Sequence, residues 1–290
     1  MRKTSKQRPI PLIVITCVIF IWGFDFIAIE YMLQYMSSGV FTLLRLLTGS
    51  AVLVTVCVIK NRGIHIKKND MPRFFICGAA AMSLYFTLEG IGISLTSASF
   101  GSLILATVPV FGIIGDRIIY KRKITGLKVI CIIISIIGVY LLVAGDLSGP
   151  KLKGLGFIIM AAIVWVFQIA YMKPLYEKYD LVTILTGVFI SGAVFQLPIA
   201  LLSQPHFSIT PSGIIILIVT TIICLIIGEA GYVYAIGNLS VTVVSAFENL
   251  LPVVTIILAF IIYGTLLSPL QFAGAAMIIG AVMCIALKDS

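Results

Sequence analysis

Four acids and one base sit inside runs that are otherwise apolar: Asp25, Glu89, Glu229, Glu248 and Arg45. A charge held in hydrocarbon costs about 2.5–3.5 kcal/mol on insertion scales, so each needs a partner or a task. Glu229 and Glu248 flank a turn expected near Gly237-Asn238, Glu229 eight residues before Gly237 and Glu248 eight after Ser240. At about 1.5 Å per helical residue, both lie roughly 12 Å from the same end and share a depth. Two neighbouring carboxylates do not both ionise cheaply, and one that takes a proton on one side and releases it on the other could drive exchange. The structural alternative is that each is protonated or bonded to a Ser, Thr or Tyr between helices.

Asp25 follows Trp22-Gly23, and 143 residues on its position is held by Gln168, near Trp165. An acid opposite an amide makes an asymmetric polar site suited to an ammonium; a plain interhelical hydrogen bond is the other reading. Arg45 is expected to pair with Asp25 or Glu89, or to meet a substrate carboxylate directly. Trp22, Trp165, Tyr85, Tyr232 and Tyr234 offer aromatic faces that bind cations or stack on flat solutes, or that simply pack. Asn249, beside Glu248, joins the same candidate set. Pro109 and Pro252 remove a helical hydrogen bond at equivalent points and are candidate hinges. Small residues precede each (Ser97, Ser99, Gly101, Ser102; Ser240, Thr242, Ser245, Ala246), which permits close helix approach. Glu30, Asp116, Arg117 and Lys173 fall nearer segment ends, where solvent can satisfy them.

Catalytic signatures are missing. The sequence has no Walker A loop, HExxH or GxSxG, and His65 and His206 lack ligand companions, so no enzyme, cofactor or metal is expected. The six cysteines (Cys17, Cys57, Cys77, Cys131, Cys224, Cys284) lie in apolar spans without CxxC spacing and read as packing residues.

These groups need a membrane scaffold to position them. The chain is 60% hydrophobic and 11% charged, against about 25% charged for a soluble domain. Ten apolar stretches, near 12–34, 39–59, 74–94, 98–119, 126–145, 155–175, 181–202, 212–236, 240–262 and 267–287, approach the length that crosses about 30 Å of hydrocarbon. A nine-span count, merging two stretches at Gly237-Asn238, leaves the repeat unequal. The apolar run after the basic N-terminus is too long for a cleavable signal, and no cleavage site follows.

A shift of 143 positions superposes the halves without a gap from about Trp22 to Val282. Trp22 meets Trp165, Gly49 meets Gly192, Ser97 meets Ser240 and Pro109 meets Pro252. The expected units are residues 1–146 and 147–290, five spans each. The net charge of +9 is explained by placement and not by nucleic-acid binding. With both termini cytoplasmic, seventeen Lys and Arg fall inside and two, Lys151 and Lys153, outside. The basic Lys121–Lys123 is then inside and its uncharged counterpart 264–266 outside, as oppositely oriented copies require.

The chain resembles the drug/metabolite transporter superfamily, in its ten-helix EamA-type branch. The resemblance rests on Trp22-Gly23 followed by Phe24-Asp25-Phe26, on Arg45, and on the stretch Tyr85 to Pro109 with its partner Tyr234 to Pro252. It departs from the family pattern where a Gly-Glu pair usually follows each proline by about thirteen residues: Arg122 and Thr265 hold the Glu positions. Gly39 stands where a Pro commonly precedes the segment 2 Arg. The resemblance implies ten helices, a bacterial inner membrane, and export of amino acids or related metabolites. The resulting expectation is an all-α carrier for small polar, amine-bearing solutes, alternating access around a central site, with proton exchange or facilitated diffusion. Efflux of hydrophobic or quaternary cations is the second carrier reading, and a non-transporting membrane enzyme or scaffold the reading from another class. The sequence is silent on oligomeric state.

Overall fold

In lipid, backbone N–H and C=O groups find no water, so an apolar run of membrane length satisfies them within itself as a helix. The computed structural model describes residues 9–60, 63–108, 110–111, 125–143, 149–203, 207–239, 244 and 247–288. Pro109, Asp116, Arg117, His206, the basic stretch 121–123, Ser240, Thr242, Ser245, Ala246 and the side chain of Lys173 lie outside that description.

Nearly all of it is helix. We label α1 (Pro9–Met32), α2 (Ser38–Ile59), α3 (Lys68–Leu95), α4 (Ala98–Leu105), α5 (Gly126–Val143), α6 (Gly149–Tyr176) and α7 (Leu181–Leu202). Helix α8 runs on through Pro211–Val219, Thr220–Ile227 and Gly228–Asn238, and α9 (Leu251–Tyr263) and α10 (Pro269–Lys288) follow. Among the described residues six helices are long and apolar enough to cross a membrane: α1, α2, α3, α7, and stretches Lys151–Gln168 of α6 and Pro211–Ala235 of α8. Gly126–Leu142, Leu251–Tyr263 and Pro269–Cys284 are apolar but shorter. No strand occurs among the described residues, only an isolated bridge between Met36 and Phe207.

Local chemistry sets the helix ends. Ser37, Ser97, Asp180 and Thr210 cap α2, α4, α7 and α8, each accepting a backbone N–H two or three residues on. The Glu30 carboxylate adds a second cap to α4, accepting the Ala98 N–H at 3.0 Å. Gly264 ends α9 in the left-handed region, at φ 67°, where a side chain would be strained.

Two features were not expected from the sequence. Stretches 98–119 and 240–262 were read as single spans. The chain turns at Ala106–Thr107 and again at Asn249–Leu250, positions that the 143-residue shift superposes. Pro252 consequently sits in the first turn of α9, where its missing N–H has no helical acceptor to serve. It starts a helix and does not kink one. The second feature is π-helix at Gly78–Tyr85 in α3 and at Thr220–Ile227 in α8, almost the same place in each half.

Packing also follows the shift. Helix α1 packs on α8 and α9, while its counterpart α6 packs on α3 and α4. Helix α2 packs on α7, and α5 on α10. The connections obey the same rule. Met36 bridges Phe207, and the Ser208 N–H donates to Tyr35 O at 2.8 Å. Their counterparts in the α6–α7 connection, Lys178 and Tyr179, both bond Asp70 at 2.8 Å.

Lipid is as apolar as leucine, so close approach and not hydrophobic burial holds such helices together. At the α5–α10 crossing, a Cβ on Gly274 would lie 2.6 Å from Gly138 O, and one on Gly138 2.8 Å from Gly274 O. Backbone meets backbone there, so neither side can yield. Gly138→Val and Gly274→Val should each lower stability by about 1–3 kcal/mol, read as a drop in thermal midpoint in detergent. Gly280→Ala, on the same helix with nothing within 4 Å of the added carbon, should leave it unchanged or raised.

Candidate functional site

Six elements converge on one cavity of about 140 Å³: α1, α3, α4, α6, α8 and the residues leading into α9. Helical spacing decides which side chains reach it. Trp22, Asp25 and Phe26 come from one face of α1; Met82, Tyr85, Phe86 and Glu89 from α3; Trp165, Gln168 and Met172 from α6. Helix α8 contributes Cys224, Leu225 and Glu229, α4 contributes Ser102 and Leu105, the residues before α9 contribute Glu248 and Asn249, and the first turn of α9 contributes Pro252.

Among the described residues the wall carries carboxylates and no lysine or arginine. Arg45 lies behind it, 2% exposed. Its Nη2 reaches both Asp25 carboxylate oxygens at 2.8 Å and the Thr220 carbonyl at 3.1 Å. Phe41 and Phe86 rings lie 5.3 and 5.4 Å from the guanidinium carbon. The pairing expectation for Arg45 resolves onto Asp25. Direct contact with a substrate carboxylate does not match this placement, because the guanidinium is enclosed by Asp25, the α8 backbone and two rings.

Two Trp–Tyr–Glu chains run across the halves. The Tyr85 ring packs on Trp165 at 4.8 Å and its hydroxyl donates to Glu89 Oε1 at 2.9 Å. The Trp22 ring packs on Tyr232 at 5.0 Å, and the Tyr232 hydroxyl donates to Glu248 Oε1 at 2.5 Å. In both cases the tryptophan comes from one half and the tyrosine from the other. Tyr232 therefore stands behind the wall, holding Glu248, and Tyr234 is 44% exposed and not part of it. Glu229 and Glu248 border the same cavity from opposite sides of the turn region, and the Tyr176 hydroxyl is 3.5 Å from Glu229 Oε1.

Tyr176 was not singled out from sequence, although its signal was available: Trp165, Gln168, Met172 and Tyr176 follow one helical face. The π segment of α8 carried no such signal. Its carbonyls accept from side chains of other helices, Thr220 O from Arg45 and Cys224 O from Trp22 Nε1 at 3.2 Å. Three buried polar atoms at the wall find no partner within the protein: Glu89 Oε2, Gln168 Oε1 and Asn249 Nδ2. No cluster of potential metal ligands occurs among the described residues.

The model of the EamA-like transporter family matches this sequence twice, over residues 9–144 and 152–287, which are again 143 positions apart. The chain belongs to the EamA-like transporter family. The chain is similar to proteins named as transporters: an uncharacterized transporter of Archaeoglobus fulgidus is 23% identical over 92% of this chain and 95% of its own. A probable terminal-alkyne amino-acid exporter of Streptantibioticus cattleyicolor is 26% identical over 76% of this chain and 74% of its own. A solved crystal structure at 14% identity shares the fold, with TM-score 0.68 over 97% of this chain and 98% of that one.

The Asp25–Arg45 pair makes a sharp test, because removing one partner of a buried pair strands the other. Arg45→Leu alone should cost about 3–5 kcal/mol of stability, and Asp25→Leu with Arg45→Leu considerably less, in thermal unfolding of the purified protein. Equal losses would remove the pair as the element that holds α1 to α2.

Proposed function

We propose that this EamA-like transporter is a secondary carrier exporting a small, polar, amine-bearing metabolite, with amino acids foremost, from a bacterial cytoplasm across the inner membrane. The single observation that carries the reading is the cavity wall, where Glu89, Glu229 and Glu248 meet the rings of Trp22, Tyr85 and Trp165 with no lysine or arginine among the described residues that line it. Such a wall attracts a positive group and offers it aromatic faces. It repels a plain anion. The name of the Streptantibioticus relative supports the amino-acid reading.

In this reading the ten helical segments are ten spans, arranged as units 1–146 and 147–290 in opposite orientation, with both termini cytoplasmic. An odd number of spans per unit forces the inversion. The seventeen-to-two charge bias, the doubled family match and the paired packing of α2 with α7 and α5 with α10 support it. Rocking of one unit against the other would open the cavity to each side in turn, with the turns at Ala106–Thr107 and Asn249–Leu250 as the places where α4 and α9 flex; Pro109 and Pro252 follow them in sequence. Labelling tests the orientation. With the native cysteines replaced, Lys123→Cys should react only from the cytoplasmic side and Thr265→Cys only from outside. Reaction from one common side would dismantle the inverted arrangement.

Glu248 and Glu229 are the proposed proton carriers. In proteoliposomes, Glu229→Gln with Glu248→Gln should abolish the pH dependence of flux and cut its rate at least tenfold. Unchanged flux with unchanged pH dependence would remove proton exchange and leave facilitated diffusion. The same wall suits a hydrophobic or quaternary cation, which is the second reading; pH-dependent binding of a quaternary ammonium dye is its signature.

A further inference from the structure

The three unpartnered atoms distinguish these two solutes. Glu89, Gln168 and Asn249 are 3, 5 and 2% exposed, and each borders the cavity. They come from three different elements: α3, α6 and the turn before α9. Glu89 has one oxygen committed to Tyr85 and the other, Oε2, without a partner. Gln168 leaves Oε1 unpaired and Asn249 leaves Nδ2 unpaired. Most buried polar atoms in proteins are satisfied, so three orphans gathered at one cavity need a common explanation.

As the two amides stand, the cavity presents two acceptors, Glu89 Oε2 and Gln168 Oε1, and one donor, Asn249 Nδ2. A solute satisfies this set if it carries N–H donors close to an acceptor. The carboxylate oxygen accepts whichever way the amides are turned, so the demand for an N–H donor survives their exchange. A quaternary ammonium carries no N–H and would leave Glu89 Oε2 unpaired. The aromatic faces of the wall do not make this choice, since ring quadrupoles attract both kinds of cation.

We infer that Glu89, Gln168 and Asn249 form a recognition set that selects solutes bearing a primary or secondary ammonium beside a carbonyl or carboxylate, and rejects their N-trimethyl analogues. This rests on the carrier reading above and narrows it. Glu89 receives the ammonium, and the two amides bond the neighbouring acceptor and any remaining N–H.

The experiment uses the purified full chain and matched pairs. Thermal shift is measured with the L-amino acids and their primary amides, then with the N-trimethyl analogue of every ligand that stabilises. The parent should bind at least tenfold more tightly than its analogue, the discrimination expected from leaving even one buried polar group unpaired. Gln168→Met and Asn249→Leu should narrow that ratio to threefold or less while holding or raising the ligand-free thermal midpoint, because each removes an unsatisfied buried amide. A merely structural amide would lower the midpoint instead. Analogues that bind as tightly as their parents, or variants that keep the full ratio, overturn the recognition set. Flux of the same pairs in proteoliposomes separates the two levels. Equal transport of parent and analogue removes the set and leaves the carrier, whereas transport of neither removes the carrier reading with it.

Discussion

A carboxylate in hydrocarbon has to be answered by something, and the arrangement around Asp25 is that answer. Arg45 reaches it from α2 and at the same time bonds the Thr220 carbonyl of α8. That carbonyl belongs to the first residue of the π segment Thr220–Ile227. Three helices from two halves of the sequence thus meet at one guanidinium. With Asp25 neutralised from behind, the charge that remains at the wall belongs to Glu89, Glu229 and Glu248, and these are held by tyrosine hydroxyls and not by cations. A fixed ion pair gives the cavity its frame, and hydrogen-bonded acids give it its chemistry.

The two halves reach the same arrangement by different residues. Trp22 and Trp165 are repeat partners, yet Tyr85 superposes on Gly228 and Glu89 on Tyr232. In space each tryptophan still lies on a tyrosine that donates to a glutamate. What the duplication preserved is a geometric role, while the residues that fill it drifted. An asymmetric wall results, with an acid and an amide facing where a strict repeat would place two of a kind.

That drift explains what could be read in advance. The helices were legible because a bilayer admits few alternatives for an apolar run, and the 143-residue repeat was legible from Trp22, Trp165, Pro109 and Pro252. Asp25, Glu89, Glu229 and Glu248 announced themselves by cost alone. The turns at Ala106–Thr107 and Asn249–Leu250 were not legible, since the prolines suggested a kink inside one helix and not a fresh start after a break. The partner of Arg45 was narrowed to two acids but not chosen, because the choice depends on how α1 and α2 are rotated. The π segments left no trace at all, because their residues are ordinary. The idle amide ends of Gln168 and Asn249 were equally invisible, being a property of what surrounds them.

A π segment is a helix with one residue more than its turns require. The face presented beyond it is therefore offset by about 100° from what an unbroken α-helix would give. Glu229 is the second residue after such a surplus in α8, and Glu89 the fourth after the one in α3. Both acids are thereby aimed where an unbroken helix would not point them. The fastening of Thr220 and Cys224 carbonyls to Arg45 and Trp22 ties the offset of α8 to α2 and α1.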